Sequence, residues 1–199
     1  AICQSTSDTE VVLHLIARSK KAASSDRFVD ALMHLEGAFS LVAMTRTKLI
    51  GARDMNGIRP LVLGDLDGKP IFASESCALD IIGASFEREI QPGEMVICTE
   101  DGVESFFPFH RVKPRFCIFE YVYFSRPDSV IGGHSVYETR RRIGVELARE
   151  APVEADLVCP VPDSGTPAAI GYSQESGIPY AMGIIRNQYM GRTFIEPTD

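Results

Sequence analysis

The chain of 199 residues contains no tryptophan and only four histidines, and it is short of positive charge: 20 Lys and Arg stand against 27 Asp and Glu, for a net charge of -7. That deficit excludes nucleic acid as the default partner, because non-specific binding needs clustered basic residues to neutralise phosphates. A local basic cluster can still hold one small anion. His14, His34, His110 and His134 show no ligand spacing, which argues against a zinc enzyme. The five cysteines, Cys3, Cys77, Cys98, Cys117 and Cys159, are odd in number and never form a C-x-x-C pair, so they do not make a disulfide framework. No G-x-S-x-G elbow is present. No apolar run approaches the roughly 20 residues needed to span a bilayer. The first five residues have neither the basic nor the apolar part of a signal peptide. A cytoplasmic protein without membrane association is expected.

What is present is an ordinary globular balance, 45% apolar and 24% charged, with a mean hydropathy of +0.01. At roughly 150 residues per domain the length implies one domain or one and a fraction. Ser7 or Asp8 starts a capped helix that runs to about residue 21, and a second helix covers 26–35, with Phe28, Val29, Leu32, Met33 and Leu35 at helical spacing. Short β-type runs follow at 38–44, 49–53, 61–64, 71–74, 94–99 and 103–107, with Asp67-Gly68 and Asp101-Gly102 as hairpin turns and a short helix at 75–82. Two helices followed by an antiparallel meander make this part α+β. Residues 116–124 read as an aromatic strand and 135–150 as a solvated helix. Then an apolar run at 157–161, a Pro162-Asp163-Ser164-Gly165 loop, a helix over 166–176 and a strand over 178–185 give a parallel β-α-β pattern, so a second, α/β domain begins.

The loop at 162–165 is the best chemical candidate. Backbone N–H groups at a helix start bind anions, Gly165 lets a ligand approach the main chain, and Asp163 and Ser164 offer oxygen ligands to Mg2+. Asp and Ser before a helix equally serve as plain caps. Residues 185–194, with Arg186 and Arg192, form either a loop that folds over an anionic substrate or a solvated surface loop. Asp8 is either a binder of a ligand ammonium or a cap, and Cys117 has the spacing of a buried small hydrophobe rather than a metal site. The run from Arg53 to Pro60 reads as structural.

Six blocks carry a family resemblance: Thr6-Ser7-Asp8-Thr9-Glu10, Arg53-Asp54-Met55-Asn56-Gly57-Ile58-Arg59-Pro60-Leu61, Ala73-Ser74-Glu75-Ser76, the run from Phe119 to Ser129 (FEYVYFSRPDS), Pro160-Val161-Pro162-Asp163-Ser164-Gly165 and Gly191-Arg192-Thr193-Phe194-Ile195. In this order they resemble the glutamine phosphoribosylpyrophosphate amidotransferases. The resemblance implies an Ntn-hydrolase glutaminase domain, an α-β-β-α sandwich represented in part by residues 1–128, followed by the start of a type I phosphoribosyltransferase domain at 129–199. It implies ammonia transfer from glutamine to 5-phosphoribosyl 1-diphosphate as the first step of purine synthesis. Purine nucleotides would act as inhibitors, and the assembly would be a homo-oligomer.

By the same resemblance Asp8 contacts the glutamine amino group. Asp163, Ser164, Gly165, Arg192 and Thr193 bind the phosphoribosyl diphosphate, with Mg2+ at Ser164. Cys117 matches one ligand of the [4Fe-4S] cluster carried by one branch of the family and lacking in others. The family's N-terminal cysteine nucleophile has no counterpart before Asp8, since Cys3 lies too close to it, and the Asp-Asp ribose-phosphate loop has none by Asp199. The chain is therefore expected to be an internal piece that is inactive alone. Two other readings stand beside this one: a non-catalytic phosphosugar-binding module, and a different Ntn-type amidotransferase.

Overall fold

A computed structural model of the chain describes residues 4–110 and 112–189. Two compact units emerge, one of Ala1–Ser74 with Gly83–Cys117 and one of Glu75–Ile82 with Ile118–Asp199. The boundary expected at 128/129 lies inside the second unit.

The first unit begins with helices α1 (Glu10–Arg18) and α2 (Ser24–Leu32). Its strands are β1 (Ser40–Met44), β2 (Leu49–Arg53), β3 (Val62–Leu66), β4 (Lys69–Ala73), β5 (Ser85–Glu89), β6 (Met95–Thr99) and β7 (Gly102–Phe106). All pair antiparallel, but not as the simple meander expected: β1-β2-β6-β7 form one sheet and β4-β3-β5 a second. The hairpin and β5 intervene between β2 and β6, so those two meet by a crossover. β5 itself was not foreseen, because Ser-Phe-Glu-Arg-Glu is largely exposed and carries little apolar alternation.

Period-two alternation in β2 and β6 explains the layering. Ile50, Ala52, Met95 and Ile97 face one way and pack with Val12, Phe28, Ala31 and Leu32 of the helices. Val96 and Cys98 face the other way, with Leu49, and pack with Leu63 and Phe72 of the second sheet and with Leu61 and Ile90, which flank its strands. Helices, sheet and sheet are thus three successive layers. Gly51 is required at the sheet–sheet contact, where a Cβ would lie 2.5 Å from the Phe72 ring.

The second unit holds α3 (Ser76–Ile82), a π-helix over Glu120–Phe124, the short pair β8 (Val130–Ile131) and β9 (His134–Ser135), α4 (Val136–Glu150) and α5 (Thr166–Ser176). Ser135 caps α4, its Oγ accepting from the Glu138 N–H. Helices α4 and α5 pack at their backbones: a Cβ on Gly144 would lie 1.8 Å from the Ala168 carbonyl oxygen, and one on Gly171 would lie 1.9 Å from that of Arg141.

The π-helix corrects the strand expected at 116–124. Aromatic and β-branched residues favour a strand, but tertiary contacts override that preference. Buried Glu120 accepts from Ser125 Oγ at 2.9 Å, and the Ser125 N–H closes an i→i+5 bond to Glu120 O at 3.0 Å. Arg140, 3% exposed, donates from Nε to the Tyr121 carbonyl and from Nη2 to that of Ser125 at 2.8 Å. Carbonyls that a strand would point sideways are thereby gathered onto one guanidinium. The strands expected at 157–161 and 178–185 reduce to a single parallel bridge, Val158 with Tyr180, flanked by Val158 N–H to Pro179 O at 2.8 Å and Ala181 N–H to Val158 O at 3.0 Å. Its direction is the one a β-α-β unit demands.

Candidate functional site

Asp8 lies in the first unit just ahead of α1 and is exposed. It does not cap the helix. The N-cap is Thr9, which makes no side-chain cap bond, and the Asp8 carboxylate accepts only a long bond from Thr9 Oγ1 at 3.4 Å among the described residues. The tying of this turn falls instead to Glu10, which the sequence reading missed. Its carboxylate accepts from the N–H of Gln4 and from both N–H and Oγ of Ser5, each at 2.8 Å. Those bonds, that from Gln4 first, hold the Glu10 carboxyl below the usual range, with His14 3.6 Å away adding to the effect. Asp8 is therefore presented by a braced turn, its charge uncommitted among the described residues. A groove of about 550 Å3 runs alongside, lined by Ser7, Thr9 and Glu10 on one side and by residues of β1 on the other.

Arg53 and Asp54 are structural, as their turn-rich context suggested. Arg53 is 4% exposed and donates to three carbonyls, Arg59 at 2.8 Å, Ile90 at 2.6 Å and Gly57 at 3.0 Å. Asp54 does the converse, accepting from the N–H groups of Asn56, Ile58 and Phe39 at 2.9, 3.2 and 3.3 Å. Side by side, the fork of a guanidinium and the paired oxygens of a carboxylate satisfy a loop that has no strand to satisfy it.

In the second unit Asp163, Ser164 and Gly165 form a continuous turn leading into α5. Neither Asp163 nor Ser164 caps the helix with its side chain; Gly165 is the N-cap, followed by Pro167 in the first turn. A Cβ on Gly165 would lie 2.7 Å from Val161 O, so the tight turn itself selects glycine. The Pro162–Asp163 peptide is cis. The Asp163 carboxylate meets Arg186 Nη1 at 3.1 Å, with both side chains more than half exposed. This pairing brings one arginine of the 185–194 segment to the loop. Arg192 and Thr193 lie outside the described residues.

Asp163 and Ser164 present the hard oxygen donors that Mg2+ prefers, and an ion arriving with a diphosphate needs few of them, because phosphates and waters complete its shell. Cys117 closes the first unit, half-buried, its N–H donating to Ile58 O at 3.3 Å. No group of three metal-ligating side chains occurs among the described residues, so Cys117 offers one ligand there and not the set an iron–sulfur cluster takes. No helix of the described residues is long and apolar enough to cross a membrane.

Comparison with known proteins bears on both units. Residues 1–80 match the glutamine amidotransferase domain family. The amidophosphoribosyltransferase of Rhizobium etli is 66% identical over 203 aligned residues, covering 100% of this chain and 41% of the relative. That of Bacillus subtilis is 46% identical, covering 100% of the chain and 42% of the relative. The solved structure of glutamine phosphoribosylpyrophosphate amidotransferase from B. subtilis, complexed with ADP and GMP, superposes with a TM-score of 0.92 over 100% of this chain and 44% of its own. The chain therefore spans about two-fifths of the length of the curated relatives it matches.

Proposed function

From a chain similar along its whole length to amidophosphoribosyltransferases, we infer that the protein containing it hydrolyses glutamine to glutamate and ammonia and passes the ammonia to 5-phosphoribosyl 1-diphosphate. Diphosphate leaves the sugar, a C–N bond replaces the C–O bond, and 5-phosphoribosylamine forms, the first step of purine synthesis. The observation that carries this reading is that the match runs through both units, the sheet unit and the 163–165 loop alike.

In this reading the uncommitted Asp8 carboxylate receives the α-ammonium of glutamine on the braced turn, a charge-assisted hydrogen bond that fixes the substrate's orientation. The 163–165 turn receives the diphosphate end of the sugar. Backbone N–H groups at the start of α5 and the helix dipole favour that anion, and the family resemblance assigns its binding to Arg192 and Thr193 as well. Magnesium bound with the diphosphate would be held by Ser164 with Asp163, and supplies neutralisation of the leaving group's charge. Purine nucleotides are the regulators in this reading, supported by the ADP and GMP bound to the B. subtilis relative. The compartment is cytoplasmic and the assembly a homo-oligomer.

The test is an assay of the complete protein with glutamine, 5-phosphoribosyl 1-diphosphate and Mg2+, in which glutamate and diphosphate should appear one for one. Asp8→Ala should raise the KM for glutamine and leave ammonia-supported diphosphate release unchanged. No glutamine-dependent diphosphate release would refute the assignment.

A further inference from the structure

Helix α3 has an unusual place in the chain. The strands that precede and follow it, β4 and β5, pair within the first unit, whereas α3 itself groups with the second. The polar contacts that accompany this grouping come from Glu75, just ahead of the helix, and from Ser76, its first residue. Glu75 Oε2 accepts from the Arg126 N–H and from Ser129 Oγ, both at 2.7 Å, across separations of 51 and 54 residues. Ser76 Oγ accepts from the Val130 N–H at 2.9 Å. Ser129 is fully buried, Ser76 nearly so, and beneath them Leu79, Ile131 and Val136 are buried as well.

The clamped segment is itself rigid. Arg126 forks onto Asp128 at 3.0 and 2.8 Å, and the Ser129 N–H donates to Arg126 O at 3.1 Å. Val136 and Tyr137, the first residues of α4, donate to the carbonyls of Ser129 and Pro127 at 3.0 and 2.9 Å. One carboxylate thus fixes the turn from which α4 departs. Short bonds to an ionised acceptor are the strong kind, about twice a neutral one.

We propose that Glu75 is a positioning residue that couples the two reactions. It anchors the Arg126–Val130 turn, and with it the start of α4, to a helix whose two ends run into the strands of the glutamine-binding unit. Neither Glu75 nor Ser129 is assigned to substrate, so loosening the clamp should leave each half-reaction intact while impairing the handover of ammonia. A misplacement of about 1 Å remote from the chemistry is enough to cost about a hundredfold. This inference rests on the two-reaction reading above.

The experiment compares, in the complete protein, glutaminase turnover, ammonia-supported synthesis and glutamine-supported synthesis. Glu75→Ala should lower the yield of 5-phosphoribosylamine per glutamine hydrolysed by about tenfold, a conservative figure beside that sensitivity, with both half-reactions within about threefold of the parent. Glu75→Gln, whose amide oxygen can accept both bonds, should restore most of the yield. Ser129→Ala, a milder change, should move it in the same direction as Glu75→Ala. An unchanged yield in Glu75→Ala, or loss of both half-reactions in Glu75→Ala and Ser129→Ala alike, overturns the inference. Absence of 5-phosphoribosylamine from the unsubstituted protein overturns the functional reading, and this inference with it.

Discussion

Replacing Asp54 by Asn changes one atom in the loop that links β2 to β3, and its cost can be worked through bond by bond. Asp54 is 1% exposed. Oδ1 takes the Asn56 N–H at 2.9 Å, while Oδ2 takes those of Ile58 and Phe39 at 3.2 and 3.3 Å. An asparagine has one acceptor oxygen, so its better orientation keeps the pair at Ile58 and Phe39 and turns the amide NH2 toward the Asn56 N–H. Two donors then face each other. An orphaned buried N–H costs about 1–3 kcal/mol, and the two surviving bonds lose their charge assistance. The expected loss is about 2–4 kcal/mol, which at about 2–4 °C per kcal/mol for a chain of this size lowers Tm by roughly 5–15 °C. Urea unfolding followed by far-UV circular dichroism should show a lower midpoint at unchanged slope. The same substitution at Asp67, exposed at the tip of the β3–β4 hairpin, should stay within about 0.5 kcal/mol. If Asp54→Asn were as mild as Asp67→Asn, the carboxylate would not be satisfying this loop.

Glu94, 2% exposed, is pushed up by burial but held below its ordinary 4.5 by bonds from Arg88, Ser105 and the Gln91 N–H. A carboxyl lower in the folded than in the unfolded state stabilises above about pH 4.5, and that contribution is lost as pH falls through the folded value. Arg88→Met, which removes the bidentate partner at 2.8 and 3.0 Å, should therefore move the acid-unfolding midpoint to higher pH, and an unmoved midpoint would count against the pair. Gly171→Ala forces a methyl to within 1.9 Å of the Arg141 carbonyl oxygen, so α4 and α5 must part. A loss of about 1–3 kcal/mol is expected, read as faster amide exchange in those two helices with the sheet unit unchanged.

Where local chemistry dictates local structure, the sequence was legible. The Asp-Gly turns, the β-type run at 49–53 and the helix over 166–176 all follow from neighbouring residues. β5 and the π-helix were not legible, since one has little apolar pattern and the other is shaped by Arg140 from another element. At the candidate sites the residue types were readable, but their partners were not. Nothing in the spacing pairs Asp163 with Arg186, or hands the bracing of the Asp8 turn to Glu10.

By itself the sequence determined most of the succession of helices and strands along the chain, the change of texture between its two parts and the blocks that resemble one enzyme family, because periodicity, turn residues and motif order are properties of a one-dimensional string. Only the tertiary structure decided which charges are committed. Asp54 and Glu75 look alike on paper to Asp8, but Asp54 gathers two donors from its own loop and a third from Phe39, and Glu75 gathers two from 51 and 54 residues away, while among the described residues Asp8 meets one weak one. A carboxylate's role depends on what surrounds it, and long-range folding supplies the surroundings.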